Sequence, residues 1–366
     1  MDEHEQVARV RLIRTRNIGP MTYSMLMARY GTAVAALAAI PEISARGGRK
    51  LQIASIAYAK AEISNNADLG AKLIWHDSEF FPPHLAQFDD APACLSTQGS
   101  LHLLQRPMIA IVGARNASIN AMRFAEKIAA DLGDAGYVIV SGMARGIDAA
   151  AHRGAMPTGT IGVIAGGIDI IYPPENRGLY AEIKTKRLLL AEMPPSTAPT
   201  PRHFPTRNRI IASLAMGVLV VEAATRSGSL ITTREAAERG GDVMAVPGSP
   251  LDPRADGCNR LIREGAILVQ SAADVIEHVS NHKTVEMPPP QTPWHNISSS
   301  SNNETDISLC RDAILAELSG EPVEVETLIS WCQKSPTIVW AAILELELAG
   351  SVTRHYGNRI SRQFDA

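Results

Sequence analysis

The sequence predicts an α/β protein: a doubly wound, mostly parallel sheet, with a helical segment before it and a winged helix after it. Three observations carry this. Short apolar runs at 109–112, 137–140, 160–165, 188–191, 217–222 and 242–246 alternate with helical patterns, as strands and crossover helices of βαβ units do. Upstream, residues 2 to about 68 are alanine-rich and lack strand patterning. Downstream, a proline run and a Ser/Asn tract separate a last segment that reads as three helices and a hairpin. The expected domains are 1–70 (helical), 71–281 (sheet), 282–305 (flexible linker) and 306–366 (winged helix),.

Bulk composition narrows the class. A chain of 366 residues, 45% hydrophobic and 20% charged, has room for two or three domains and a sizeable core,. A formal charge of −3 excludes a polycation, so a nucleic-acid site has to be a local patch,. Cys94, Cys258, Cys310 and Cys332 show no C-x-x-C spacing and read as reduced thiols, not as a disulfide frame or a zinc site,. The first residues are charged and no apolar run approaches membrane-spanning length,. The expectation is a soluble, cytoplasmic protein without a membrane partner.

In the helical segment, Val7, Val10 and Ile13, then Met25, Leu26 and Met27, give helical stripes on either side of the turn Asn17-Ile18-Gly19-Pro20. Arg9, Arg11, Arg14 and Arg16 precede that turn; they fit either a solvated basic face or a phosphate contact. Residues 71–104 are irregular, and Leu73–Trp75 and Cys94–Ser96 are expected as edge strands of the sheet,.

The core of the reading is 109–151. An apolar run at 109–112 suits a strand buried on both faces. Gly113 permits a tight turn and Ser118 can cap the next helix, whose apolar positions are Phe124, Ile128, Ala129 and Leu132 and whose end is marked by Gly133 and Gly136,. A second strand leads to the turn Ser141-Gly142-Met143-Ala144-Arg145-Gly146. Such a unit gathers helix N-termini and backbone N–H groups along one sheet edge, where anions bind. Further units follow through the strands at 160–165, 188–191, 217–222 and 242–246, with 259–264 and 266–269 completing the domain.

Four places on that edge have residues suited to chemistry. Gly113-Ala114-Arg115 is not G-x-G-x-x-G: Arg115 stands where a dinucleotide pyrophosphate needs glycine,. An arginine beside backbone donors suits a phosphate, or a structural carboxylate. Asp148 and His152, spaced i,i+4, lack a third metal ligand and read first as a helix brace. Arg207-Asn208-Arg209 is densely basic and is expected on an extended entry to a helix. Arg226-Ser227-Gly228-Ser229 makes another anion-type turn at a helix start. Parallel topology gathers these turns into one groove.

The stretches IVGAR, VIVSGMARGIDAAAH, YPPEN, FPTRNRIIASL, VLVVEAATRSGSLIT, VMAVPG and GCNRLIREGA, in this order over 109–269, closely resemble the DNA-processing protein A (DprA/Smf) family of bacteria. The resemblance implies an extended Rossmann-like domain that binds single-stranded DNA, a SAM-like helical domain before it and a winged helix after it. It further implies protection of incoming DNA in natural transformation, loading of RecA recombinase, and a homodimer. By motif, the strand-binding positions would be Gly113, Arg115, Ser118, Gly142, Arg145, Arg207, Asn208, Arg209, Ser227 and Gly228. No catalytic residue, metal or cofactor is implied. The chain departs from many relatives at Asn120-Ala121, where they carry Tyr-Gly.

Aromatics make up only 5% of the chain, and Phe204 is the one beside the binding turns. Affinity should therefore rest on phosphates and be sequence-tolerant. Four such contacts give a log–log salt slope of roughly −3 on a single strand. The third helix of the tail, 336–349, has no basic residue and carries Glu345 and Glu347, so a partner or regulatory contact fits it better than base reading. Arg354, Arg359 and Arg362 of the wing are left as possible phosphate contacts. Two rivals remain. A LOG-type nucleoside-monophosphate phosphoribohydrolase resembles the chain at two turns, but Ile231 and Thr232 stand where its acids belong,. A nucleotide-sensing regulator reading duplex DNA meets the acidic third helix.

Overall fold

The computed structural model describes residues 1–48, 51–282, 304–355 and 357–364. It divides into two compact units: Asn65–Pro288, and Met1–Ser64 together with Pro289–Ala366. The expected linker, 282–305, lies outside the described residues except at its ends, which belong to helices.

The helical unit opens with α1 (Glu3–Ile13), α2 (Pro20–Tyr30), α3 (Ala33–Arg46) and α4 (Ile56–Asp68), the last running past the unit boundary. Asp2 caps α1 and Thr32 caps α3, each accepting from a first-turn N–H,. Glu5 reaches across to accept from the N–H of Ala33 at 2.8 Å, placing a carboxylate at the positive end of α3,.

The expected basic face is largely absent. Arg9 pairs with Glu5 at 3.1 Å, Arg14 with Glu62 at 2.8 Å, and Arg11 donates to the carbonyl of Ala54. Of the four arginines only Arg16 is exposed. The carboxylates that absorb them lie one helical turn away or in another helix, where a local reading does not look.

The sheet unit contains β1 (Lys72–Trp75), α5 (Pro83–Ala86), β2 (Cys94–Gly99), β3 (Met108–Val112), α6 (Ile119–Asp134), β4 (Val138–Gly142) and α7 (Ile147–Ala155). It continues with β5 (Thr160–Gly167), α8 (Arg177–Lys186), β6 (Leu188–Met193), α9 (His203–Leu214), β7 (Gly217–Val220) and α10 (Ser229–Glu238). Then come β8 (Asp242–Ala245), α11 (Asp256–Arg263), β9 (Ile267–Leu268) and α12 (Ala272–His282).

The strand order is β1-β2-β6-β5-β4-β3-β7-β8-β9. From β6 to β9 all pairings are parallel; β2 joins β6 and β1 joins β2 antiparallel. Alternate residues of β3 bury on opposite faces. Met108, Ala110 and Val112 meet Ile210, Ile211 and Leu214 of α9. Ile109 and Ile111 meet Ile128 and Leu132 of α6 and Ile147 of α7. Both faces are covered, which is why the strands read as unbroken apolar runs. Each fully buried side chain of this kind contributes about 1.5–3 kcal/mol.

The tail completes the helical unit with α13 (Glu304–Glu317), β10 (Val323–Glu324), α14 (Val325–Cys332), α15 (Pro336–Ala349), β11 (Val352–His355) and β12 (Arg359–Arg362), the strands ordered β10-β12-β11. Helix α15 packs against α13, α3 and α2. Twelve consecutive residues, from Ile338 to Ala349, are buried, Glu345 and Glu347 included. Gly47 sits so close to α15 that a Cβ there would strike the Glu345 carbonyl and Ala349. Glu345 pairs with Arg311 at 2.8 Å and lies within 3.8 Å of Arg46; Glu347 pairs with Arg354 at 2.5 Å and accepts from the Thr22 hydroxyl at 3.2 Å. The acidic third helix is thus an internal strut. Arg354 is spent on Glu347, and Arg362 donates to the Leu315 carbonyl at 2.9 Å.

Candidate nucleic-acid interface

Successive strands from β3 to β6 step one way across the sheet, and from β7 to β9 the other way. The order reverses between β3 and β7, the place where open α/β sheets form a crevice beyond their strand C-termini. Three turns meet there and are laced together through backbone. Ala114 donates to the Glu222 carbonyl at 2.6 Å, and Ile147 donates to the Ala114 carbonyl at 3.2 Å. Gly113 lies so near Ile147 and the Glu222 carbonyl that a Cβ would come within 2.6 and 2.9 Å of them. Gly146 has φ +74 and lies directly under the carbonyl of Ala114, a position only glycine takes without strain,.

Ser118 caps α6 as its sequence position predicts, accepting from Ala121 N–H at 3.1 Å. The rest of its polar capacity is also used. Its hydroxyl donates to Glu222 Oε2 at 2.8 Å and its N–H to Oε1 at 2.9 Å. Glu222 is buried. The positive end of α6 therefore already holds a carboxylate, and a phosphate would have to displace it against like charge. Glu222 stood in the sequence only as the end of an apolar strand; that its carboxylate folds back to cap a helix a hundred residues upstream is a tertiary fact.

Arg207, Asn208 and Arg209 depart from the expected extended entry. Helix α9 begins at His203, so all three are helical, and all three are buried. Arg207 donates from Nη1 to the Val163 carbonyl at 2.7 Å and from Nε to Asn208 Oδ1 at 3.0 Å. A Cβ on Gly142 would fall onto the Arg207 guanidinium and the Asp148 carboxylate, so these two charged groups close over the glycine. Burial lowers Arg207 from its ordinary range while Asp148 pulls it back; burial raises the Asp148 carboxyl while Arg207 opposes that. Arg209 turns elsewhere, bonding Glu192 and the Asp90 carbonyl.

His152 is buried, with Nδ1 2.7 Å from Thr160 Oγ1 and Nε2 2.8 Å from the Gly142 carbonyl. Burial pushes its imidazole down to about 4. It braces α7 to β4 and β5, and Asp148 accepts from Ala144 N–H at 3.3 Å to hold the second turn.

Beside these turns lies a cavity of about 200 Å³. Arg115, Arg145 and Arg207 line it together with Tyr172 and Phe204. The Arg115 guanidinium rests 5.2 Å from the centre of the Phe204 ring, and Phe204 lies 5.8 Å from Tyr172 at 55°. Arg115 and Tyr172 are exposed. Arg145 is exposed too, in a loose 3.4 Å pair with Glu175. Asn176 fixes the second turn by donating to the carbonyls of Met143 and Ala144 at 2.9 and 3.0 Å. Tyr172 and Asn176 stand in the YPPEN stretch, whose spacing alone gives no sign that it folds over the cavity.

Ser227 and Gly228 lie outside this lining, in the loop between β7 and α10. The Ser227 hydroxyl sits 2.7 Å from that of Ser229. Gly228 has open space where a Cβ would be, so neither conformation nor packing requires glycine there. Arg226 beside it is exposed and makes no ion pair among the described residues. The structure thus brings Arg115, Arg145 and Arg207 around one cavity, sets Gly113 and Gly142 as close-packed turn positions, and places Ser118, Asn208 and Arg209 in internal bonding. Among the described residues no cluster of His, Cys, Asp and Glu could hold a metal ion, and no single helix is long and apolar enough to cross a membrane.

Comparison with known proteins gives a consistent set of matches. Residues 72–280 match the family described as DNA recombination-mediator protein A. Residues 3–65 match the DprA-like N-terminal HHH domain, a helical domain named SAM-like above, and 298–358 the DprA winged helix domain. The DNA processing protein DprA of Streptococcus pneumoniae is 48% identical over 198 residues, 54% of this chain and 70% of that protein. Protein Smf of Escherichia coli is 36% identical over 281 residues, 76% of this chain and 74% of that protein. Among solved structures, S. pneumoniae DprA superposes with a TM-score of 0.63 at 36% identity, covering 75% of this chain and 98% of the other. DNA processing protein A of Helicobacter pylori, solved for its single-stranded DNA binding mode, superposes with a TM-score of 0.53 at 28% identity, covering 58% and 96%.

Proposed function

This chain belongs to the DprA/Smf family, and on that premise we propose that it binds single-stranded DNA along the C-terminal edge of its parallel strands. The observation that carries the proposal is the convergence of Arg115, Arg145 and Arg207 on one cavity beside the exposed ring of Tyr172 and the half-buried ring of Phe204.

The roles divide by exposure. Arg115, Arg145 and, across the switch point, Arg226 reach solvent and meet phosphates; Arg207 stays buried, its charge raising the potential of the cavity floor,. Phe204 and Tyr172 offer a base the apolar face that a sequence-tolerant binder needs,. Gly113, Gly142 and Gly146 let the turns pack closely enough to hold this arrangement before DNA arrives. Ser118, Asn208 and Arg209 act as supports. Ser227 and Gly228, with backbone near a helix start, extend the track beyond the cavity.

Within the same premise the protein protects incoming DNA in natural transformation, loads RecA onto it, and works as a homodimer without catalytic residue or cofactor. Sedimentation of the purified protein tests the dimer, and RecA ATPase activity on strand coated with single-strand-binding protein tests the loading. Binding itself is tested by fluorescence anisotropy with oligo-dT against duplex of equal length. The strand should bind much more tightly; equal affinity would sink the proposal.

Neither rival gains support. In the hydrolase reading the start of α10 needs an acid, but Ile231 and Thr232 stand there and Glu222, nearby in sequence, has both oxygens bound by Ser118,. Incubation with AMP should release no adenine, and measurable release would revive that reading. In the regulator reading α15 would enter a duplex groove, yet it is buried within the helical unit.

A further inference from the structure

Buried glutamates elsewhere in the molecule are matched by arginines. Glu62 pairs with Arg14, Glu345 with Arg311 and Glu347 with Arg354. Glu222 differs: it is 8% exposed and makes no ion pair among the described residues. Exposed Arg254 feels its charge at longer range, but that guanidinium is taken by Asp252 at 2.8 Å. The Glu222 backbone is fixed between two turns, its carbonyl accepting from Ala114 N–H at 2.6 Å with Gly113 packed against it. Its carboxylate bends to the start of α6, where Ser118 donates its N–H to Oε1 at 2.9 Å and its hydroxyl to Oε2 at 2.8 Å. A helix end and one serine hold the charge there, not a cation.

Burying a carboxylate without a cation costs stability, and a neutral glutamine can make the same clasp. Ser118 Oγ accepts from Ala121 N–H at 3.1 Å and has a second lone pair for an amide donor,. The negative charge, and not the clasp, is what needs a reason. Its place supplies one. Helix α6 follows β3, where the strand order reverses, and doubly wound sheets hold nucleotide phosphates on the helix end at such a point. Ile119 and Asn120, the first residues of α6, are exposed, and first-turn N–H groups have no partner within their helix. With a neutral residue at 222 this corner would be open to a small phosphate.

We propose that Glu222 is a specificity-determining residue whose carboxylate rejects free nucleotide phosphates from the first turn and leaves DNA to the arginines beside it. The inference rests on the single-strand reading. A strand reaches Arg115, Arg145 and Arg226 together and tolerates one repulsive neighbour. A free nucleotide places all its phosphates in one corner, so like charge there costs it most of its hold. Discrimination of this kind comes from the repulsive element as much as from the attractive ones.

The test measures inorganic pyrophosphate binding to the full chain by titration calorimetry at fixed ionic strength, in wild type and in Glu222→Gln. Oligo-dT anisotropy on the same wild-type protein runs beside it. Removing the charge should tighten pyrophosphate about tenfold, a gain that loss of a merely structural contact would not produce. Equal or weaker pyrophosphate binding in Glu222→Gln, with wild type still holding oligo-dT, would sink this inference alone. Wild type that holds no oligo-dT would remove its premise as well. If Glu222→Gln melts early, pyrophosphate should raise its unfolding midpoint more than that of the wild type; an equal or smaller rise overturns the proposal.

Discussion

Arginines of the helical unit and of the sheet edge are alike in sequence and differ in their neighbours. In the helical unit Arg9, Arg14, Arg311 and Arg354 each meet a carboxylate within hydrogen-bonding distance, and Glu345 gathers Arg311 and Arg46 around one buried oxygen pair. At the sheet edge Arg115 rests on an aromatic ring, Arg226 reaches solvent, and Arg145 has only a loose exposed partner. Positive charge counted along the chain does not distinguish the two sets. What distinguishes them is whether a carboxylate is already there, and only the unneutralised set is placed to attract an anion.

The largest expected effect tests the internal set. Glu345→Ala takes the buried carboxylate away from Arg311, while Arg46 keeps Glu42 and Glu304, and breaking a buried pair of this kind costs about 3–5 kcal/mol,. Thermal unfolding of the full chain should show it; an unchanged transition would mean that α15 is not held by its charges.

Next is a pH effect in the sheet unit. His152 is neutral in the fold, its imidazole pushed down to about 4 by burial, against an ordinary value of 6.5 in the unfolded chain. Between those values the unfolded chain binds a proton that the folded one does not, so stability falls as pH drops from 6.5 towards 4 and levels off below. The full loss is about 3 kcal/mol. Denaturant midpoints across that range check it, and His152→Gln should flatten the dependence.

Gly142→Ala comes third. Its Cβ would press on Arg207 and Asp148, costing about 1–3 kcal/mol and weakening oligo-dT binding by shifting Arg207. Normal binding in a folded Gly142→Ala protein would detach Arg207 from the site.

Much of this was legible in the sequence, and the losses have a common cause. Period and glycine placement located the strands from β3 to β8, the Ser118 cap and the turns, because these depend on residues within a few positions of each other. The Arg14–Glu62 and Arg311–Glu345 pairs, the Glu222 clasp on Ser118, and the burial of Arg209 against Glu192 join residues well separated in the chain. The run 207–209 looked basic and exposed because its solvation depends on how α9 lies under β3, β4 and β5. Tyr172 was invisible as a wall of the site for the same reason.

The smallest single effect is also the most direct test. Salt titration of oligo-dT affinity should give a log–log slope of roughly −2 for the wild type, about −0.7 for each of the three arginines that meet phosphates. Arg115→Ala should weaken binding about tenfold, roughly 1.4 kcal/mol, and make the slope shallower by about 0.7, one phosphate contact. Arg14→Ala, which removes a neutralised arginine, should leave the slope unchanged. A slope that does not respond to Arg115→Ala, or that responds equally to Arg14→Ala, would contradict the claim that the unneutralised arginines of the sheet edge hold the strand.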